Sequence, residues 1–315
     1  MGRAAMTTPD RLLLPHLLRA LTPAGREVLA GAGEDDCAVV QWPGSRDLLV
    51  LKTDMVHASA DFPPGTTPLQ MGWMASAVNL SDLAAKGARP LYLLMAVGLP
   101  KLDRKFARQL ARGMDLCARR YGARIVGGDL DRTDEVAITG FAVGRARRWV
   151  GRSGARPGDL VGATGPLGVA ESVLLHLKGR RPLPGRLARK GLLEPTPRVW
   201  DGLRLAPRVS AMTDVSDSLA LSLHDTARAS GVGFRLDPGA IPVDPAVRAA
   251  ARLGADPLDL ALYGGGDFGL LFTYPPRAER ALRRSVRFHR LGVATRRRGV
   301  FLGNEPIRER GYSHF

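Results

Sequence analysis

Aspartates gather in short stretches beside apolar runs: GEDDC at 33–37, LKTDMV at 51–56, NLSD at 79–82, GGDLD at 127–131 and TDVSDS at 213–218. Asp36, Asp54, Asp82, Asp129, Asp214 and Asp217 are hard oxygen ligands of the kind Mg²⁺ takes, usually alongside waters and substrate phosphates. Carboxylates brought to one place repel one another strongly, and divalent metals relieve that repulsion. With ATP as the anionic partner, such a set fits phosphoryl transfer, in which positioning and charge neutralisation do most of the catalysis. Each acid alone also has a plain structural reading. Asp54 can end a strand, Asp82 can be a paired structural carboxylate, and Asp214 or Asp217 can cap a helix. Asp35, Asp36 and Asp129 can be turn residues. The chemistry rests on their conjunction.

Neither the phosphate-binding loop G-x-x-x-x-G-K-[ST] nor the protein-kinase motif set is present, so ATP needs another cradle. Gly127-Gly128 allows close backbone approach, Arg152 offers a guanidinium fork for phosphate, and Ser216 precedes a helix N-terminus that favours anions. The six histidines include no His-Glu-x-x-His pair, and Cys37 and Cys117 cannot make a zinc site alone. The cysteines read as buried small hydrophobes of a cytoplasmic chain.

The elements that would position these groups follow from periodicity. AVNLSDLAAKGARP predicts the end of a helix over 69–87, with Ala77, Leu80, Leu83 and Ala84 at helical spacing and Gly87 and Pro90 as stop signals. Residues 9–30 predict one or two amphipathic helices, 48–52 a strand ending at Thr53-Asp54, and 90–100 a strand buried on both faces. A helix is expected over 103–121, then a strand, a Gly–Asp turn at GGDLD and another strand. RSGARPGD at 152–159 is a turn-rich joint, placing domains at 1–150 and 151–315. Beyond it come a short strand, a helix over 168–178, an irregular Pro- and Arg-rich stretch, and a helix begun by Asp217 or Ser218 and ended by Gly231 or Gly233. GGGDF then echoes GGDLD as a second Gly–Asp turn beside a strand. The whole reads as an α/β or α+β chain.

With 315 residues and 45% hydrophobic content, a substantial core is available. No apolar run reaches bilayer-spanning length, and the N-terminus is not read as a secretory signal. The formal charge is +16, and lysine supplies only six of the 46 basic residues. The arginine clusters, including 180–190 and 296–298, lack interleaved aromatics or a nucleic-acid module. They read as solvated arginine or as a field for anionic nucleotides, not as a nucleic-acid surface.

GEDDCAVV, LKTDMV, AVNLSDLAAKGARP, VGGD, GRSGARPGD, TDVSDSL, YGGGDFGLLFT and GYSHF occur in the order found in the thiamine-monophosphate kinases. The chain resembles that family, of the aminoimidazole-ribonucleotide-synthetase superfamily, from about residue 30 onward. The resemblance implies two α/β (α+β) domains with mixed sheets, the N-terminal one forming a homodimer. It implies ATP-dependent phosphorylation of thiamine monophosphate with several Mg²⁺ ions, by direct in-line transfer without a covalent residue. Asp36, Thr53, Asp54, Asp82, Asp129, Asp214 and Asp217 correspond to metal ligands. Gly128, Asp129, Arg152 and Ser216 correspond to ATP contacts. Tyr312 matches the aromatic of the substrate pocket. The departures fall on the acceptor side. Gly266 stands where the family has a substrate-contacting glutamate, Gly269 replaces a second glutamate, and Asp61 stands where the family has histidine. Lys52 replaces a small hydroxyl residue before Thr53-Asp54. Three functions are therefore weighed: thiamine-phosphate kinase, a kinase of the same fold with another small acceptor, and an ATP-binding regulator without turnover.

Overall fold

A computed structural model describes residues 9–179, 182–183 and 189–313. Most of the arginine-rich 180–190 stretch lies outside these, as do residues 1–8 and His314 and Phe315 of the closing GYSHF. In chain order the elements begin with α1 (Pro9–Arg19), β1 (Val28–Ala30), β2 (Ala38–Gln41), β3 (Leu48–His57), α2 (Ala58–Asp61) and α3 (Pro68–Ala85). Next come β4 (Arg89–Leu99), α4 (Arg104–Arg120), β5 (Arg124–Arg132), β6 (Ala137–Ala146), β7 (Leu160–Ala163) and α5 (Val169–Lys178). Then follow α6 (Arg189–Leu193), α7 (Val199–Leu205), β8 (Ala211–Val215), α8 (Leu219–Ser230), β9 (Gly233–Leu236) and α9 (Pro257–Tyr263). The chain closes with β10 (Gly269–Tyr274), α10 (Glu279–Ser285), β11 (His289–Thr295), β12 (Gly299–Leu302) and β13 (Glu305–Pro306). No helix among the described residues is long and apolar enough to cross a membrane.

The chain divides into two compact units, one of Gly25–Trp149 with Arg189–Leu203, the other of Met1–Ala24, Val150–Ala188 and Arg204–Phe315. The first carries a six-stranded sheet ordered β1-β2-β3-β6-β4-β5, antiparallel except for β4–β5. The second carries a seven-stranded sheet ordered β13-β12-β9-β11-β7-β10-β8, antiparallel except for β9–β12. Both sheets are thus mixed.

In the first unit α3 starts with a capping box. The Thr67 side chain accepts from the Gln70 backbone, Gln70 reaches back to Thr67, and Pro68 takes the first turn, where no backbone donor is needed. From Met74 to Ala85 every residue of this helix is buried. It is therefore apolar all round, with Ser76, Asn79, Ser81 and Asp82 as its buried polar groups. Asp103 caps α4 by accepting from the backbones of Lys105 and Phe106.

Four local expectations are corrected. Residues 28–30 form β1, not helix, because Val28 and Ala30 pair with β2. GGDLD is not a turn: β5 runs straight through it, held parallel to β4 from Tyr92↔Arg124 to Leu99↔Arg132. GGGDF does lie outside the strands, between α9 and β10, so the two Gly–Asp stretches are not structural equivalents. Nor is β4 buried on both faces; its Tyr92 and Leu94 are exposed while Leu93 and Met95 are buried.

In the second unit Val161, Leu219, Leu223, Phe234, Leu236, Leu271 and Leu291 form the core. Phe272, Tyr274 and Phe288 pack tilted and edge to face, with centroids 5.2–5.7 Å apart.

Candidate active site

In the first unit two lysines organise the acids. β3 alternates, so Val50 and Val56 are buried, while Thr53 and Met55 face outward. The same alternation puts Lys52 and Asp54 on the face that α3 covers. Lys52 Nζ lies 2.9 Å from Asp82 Oδ2 and 3.7 Å from Asp54 Oδ2. Lys86, at the C-terminal end of α3 and fully buried, pairs with Asp35 and with Asp36 Oδ2 at 2.9 Å. Burial works against both ammonium groups. The carboxylates outweigh it, Asp82 and Asp54 for Lys52 and Asp36 and Asp35 for Lys86, and hold both lysines above their ordinary range. Cys37, buried beside them, has its thiol pushed up first by burial and then by the Asp82 charge, so it is an inert core residue.

Thr53 has a separate engagement: its hydroxyl donates to the Gly140 carbonyl at 2.9 Å. Asp129 is exposed on the edge strand β5, in register with Ala96. Gly128 is required by the sheet itself, since a Cβ there would lie 1.9 Å from the Met95 carbonyl oxygen. Asp61 closes its own turn, its carboxylate accepting from the His57 backbone N–H at 2.8 Å.

The donors of this unit suit Mg²⁺. They are hard oxygens, and Asn79 adds a buried Oδ1 with no hydrogen-bond partner among the described residues. The Asn79 amide nitrogen donates to the Ala75 carbonyl, and the side chain lies over Gly140, the residue opposite Asp54 in the β3–β6 ladder.

The second unit ties its candidates together by backbone. Asp214 is buried in β8, opposite Leu270 of β10. As β8 ends, the Ser216 carbonyl accepts from the Gly266 N–H at 2.6 Å, and the Asp217 carbonyl accepts from the Tyr312 N–H at 3.1 Å. Ser216, Asp217, Gly266 and Tyr312, far apart in sequence, are therefore neighbours. Of the two cap candidates the structure selects Ser218, whose hydroxyl accepts from the Leu221 N–H at 3.0 Å, and Gly231 ends α8 at φ 67°. Arg152 lies in the segment joined to this region, where the Gly151 carbonyl accepts from the Met212 N–H.

The Gly-rich turn is backbone-strained. Gly266 has φ 86°, which glycine adopts freely, and Phe268 has φ 50°, which a bulky side chain rarely tolerates. Asp267 pins this turn to the start of α5. It accepts from the Gly168 N–H at 2.6 Å and the Ala170 N–H at 3.0 Å. Burial nevertheless pushes its carboxyl up to about 6.

The sequence-based site lacked both lysines: Lys52, read there among the acceptor-side departures, lies instead against Asp82 and Asp54, and Lys86 was not singled out. A signal existed: in a chain that uses arginine for forty of its 46 basic residues, two of the six lysines stand within or next to aspartate stretches. A lysine ammonium is a compact point charge whose three donors can reach two carboxylates at once.

Residues 34–146 match the AIR synthase related protein N-terminal domain, and residues 156–303 match the C-terminal domain of the same group. A thiamine-monophosphate kinase of Archaeoglobus fulgidus is 42% identical over 297 residues, 92% of this chain and 93% of that protein. The chain belongs to the thiamine-monophosphate kinase family. Another member, from Methanospirillum hungatei, is 39% identical over 89% of this chain and 92% of its own. The solved structure of AaThiL complexed with AMPPCP and TMP superposes with a TM-score of 0.86 at 27% identity, covering 99% of this chain and all of that one. As a thiamine-monophosphate kinase family member, the chain has the kinase fold that its motif order implied.

Proposed function

We propose that this protein transfers the terminal phosphoryl group of ATP to thiamine monophosphate, giving thiamine diphosphate. The observation that carries the reading is the backbone lacing of Ser216 and Asp217 to Gly266 and Tyr312, which joins a nucleotide-side turn to two acceptor-side positions in one framework. The family relatives bear the name of that activity over nearly their whole length.

In this reading Asp36, Thr53, Asp54, Asp82, Asp129, Asp214 and Asp217 are the Mg²⁺ ligands. Gly128, Asp129, Arg152 and Ser216 contact ATP. Asp61, Gly266 and Tyr312 line the acceptor. Bound Mg²⁺ supplies neutralisation of the charge on the phosphates. The chain's own part is to hold the reactants in line. Ser216 is fixed by its bond to Gly266, the α8 N-terminus presents a partial positive charge, and Arg152 offers paired donors. A phosphate oxygen of thiamine monophosphate attacks the terminal phosphorus of ATP, forming the new P–O–P bond as the bond to ADP breaks, with no covalent enzyme intermediate. The protein acts as a cytoplasmic homodimer, associating through the apolar open face of the six-stranded sheet, where Met55, Tyr92 and Leu94 are exposed.

A second acceptor remains a distinct reading on one observation. Gly266 has no side chain, and the Asp61 carboxylate is engaged with the His57 backbone N–H, so neither position carries the family's acceptor group. Purified protein with ATP, Mg²⁺ and thiamine monophosphate decides between them. Thiamine diphosphate is expected, and Asp82→Asn should lower its formation by about 10²–10³-fold while the circular dichroism spectrum is kept. ADP release only with other small acceptors would transfer the assignment to the second reading. ATP binding without turnover on any acceptor would leave a regulator.

A further inference from the structure

Lys52 faces the acids, not the solvent. Its ammonium is 2.9 Å from Asp82 Oδ2 and 3.7 Å from Asp54 Oδ2, and its side chain is only 20% exposed. Asp54 comes from β3 and Asp82 from α3, so the lysine closes a gap between two elements. The Asp82 Oδ2 lone pair directed at the ammonium is not open to Mg²⁺, which binds at about 2.0–2.1 Å, unless the ammonium leaves. Leaving is disfavoured: departure would strip the buried Asp82 carboxylate of its counter-charge and restore its repulsion with the half-exposed Asp54.

We infer that Lys52 is a built-in cation of the site, its ammonium holding Asp54 and Asp82 together in place of one divalent ion. The chain then binds one divalent ion fewer than the same chain with a neutral residue at 52. Lys86 differs in kind. It is fully buried, touches Asp35 and Asp36 at the far end of α3, and braces the backbone that presents Asp36. Lys52, at the accessible side, takes a place that an ion could fill.

The inference rests on the reading that these carboxylates hold metal with ATP, and the test separates the two. Mn²⁺ bound per chain is counted by the electron paramagnetic resonance signal of the free ion, at saturating non-hydrolysable ATP analogue. The count is made for the unaltered protein and for Lys52→Met, Lys52→Ser and Lys52→Arg. Lys52→Met and Lys52→Ser should each bind one Mn²⁺ more than the unaltered protein, and Lys52→Arg should keep the unaltered count. In metal-free buffer the two neutral variants should melt several degrees lower, with Mn²⁺ restoring them. Equal counts in all four proteins overturn the inference while leaving the metal reading in place. No Mn²⁺ bound by any of them overturns both. The Ser variant, closest in size to the family's hydroxyl residue, keeps the count readable if Lys52→Met does not fold.

Discussion

The two sheets differ in what covers them. In the seven-stranded sheet, β8 and β10 are buried along their whole length, and three of the four β7 residues are buried. The six-stranded sheet is covered on one side by α3, and its other side exposes Met55, Tyr92 and Leu94. Strands buried on both faces need near-continuous apolar sequence, as in LLFTY, whereas β6 alternates buried and half-buried residues along AITGFAV. The same contrast runs through the polar groups. The first unit keeps its acids in place with one buried and one half-buried ammonium group, and the second holds its candidate residues with backbone hydrogen bonds and helix caps. Charge is concentrated where metal is proposed to bind, and backbone precision where the acceptor is proposed to sit.

The sharpest way to break this comparison is to remove a buried cation. Lys86→Met leaves the Asp35 and Asp36 carboxylates without their ammonium, and unfolding by urea should show a loss of about 3–5 kcal/mol. A loss under 1 kcal/mol would mean that the first unit does not depend on its charge pairs.

Next in size is the pH response of the second unit. Asp267 titrates near about 6 when folded, above its ordinary 3.8, so the folded chain retains a proton that the unfolded chain has released. Stability should therefore fall as pH rises from about 4 to about 6 and then level off, by up to about 3 kcal/mol. Asp267→Asn removes the titrating group, so the difference between its melting curve and that of the unaltered protein should change over that window and be flat above it. A difference independent of pH would show that Asp267 is ionised throughout.

The smallest effect on the fold is expected at the open sheet face. Tyr92→Asp with Leu94→Asp should change monomer stability by less than about 0.5 kcal/mol, because neither side chain is in the core. Sedimentation should nonetheless show the proposed dimer converted to monomer. A double variant that sediments as the unaltered protein does would leave that face without its proposed role.

Much of this was readable without coordinates. Thr67, Pro68 and Gln70, Asp103, Ser218 and Gly231 mark helix ends by chemistry acting within a few residues, and the motif order carries the family. GGDLD misled because Gly and Asp favour turns locally, while parallel pairing with β4 extends the strand through them. β4 misled because the apolar run PLYLLMAVGL does not reveal that one of its faces has no cover.

The aspartate stretches, the absence of zinc or phosphate-loop patterns and most helices and strands follow from the sequence alone, because residue type and short-range periodicity determine them. Only the tertiary structure decided that Lys52 reaches Asp82, that Lys86 takes both Asp35 and Asp36, and that Ser216 and Asp217 meet Gly266 and Tyr312. Those contacts span separations of 30 to 95 residues. Nothing in local propensity encodes which distant backbone or charge will fill a given gap; sheet register and helix packing do.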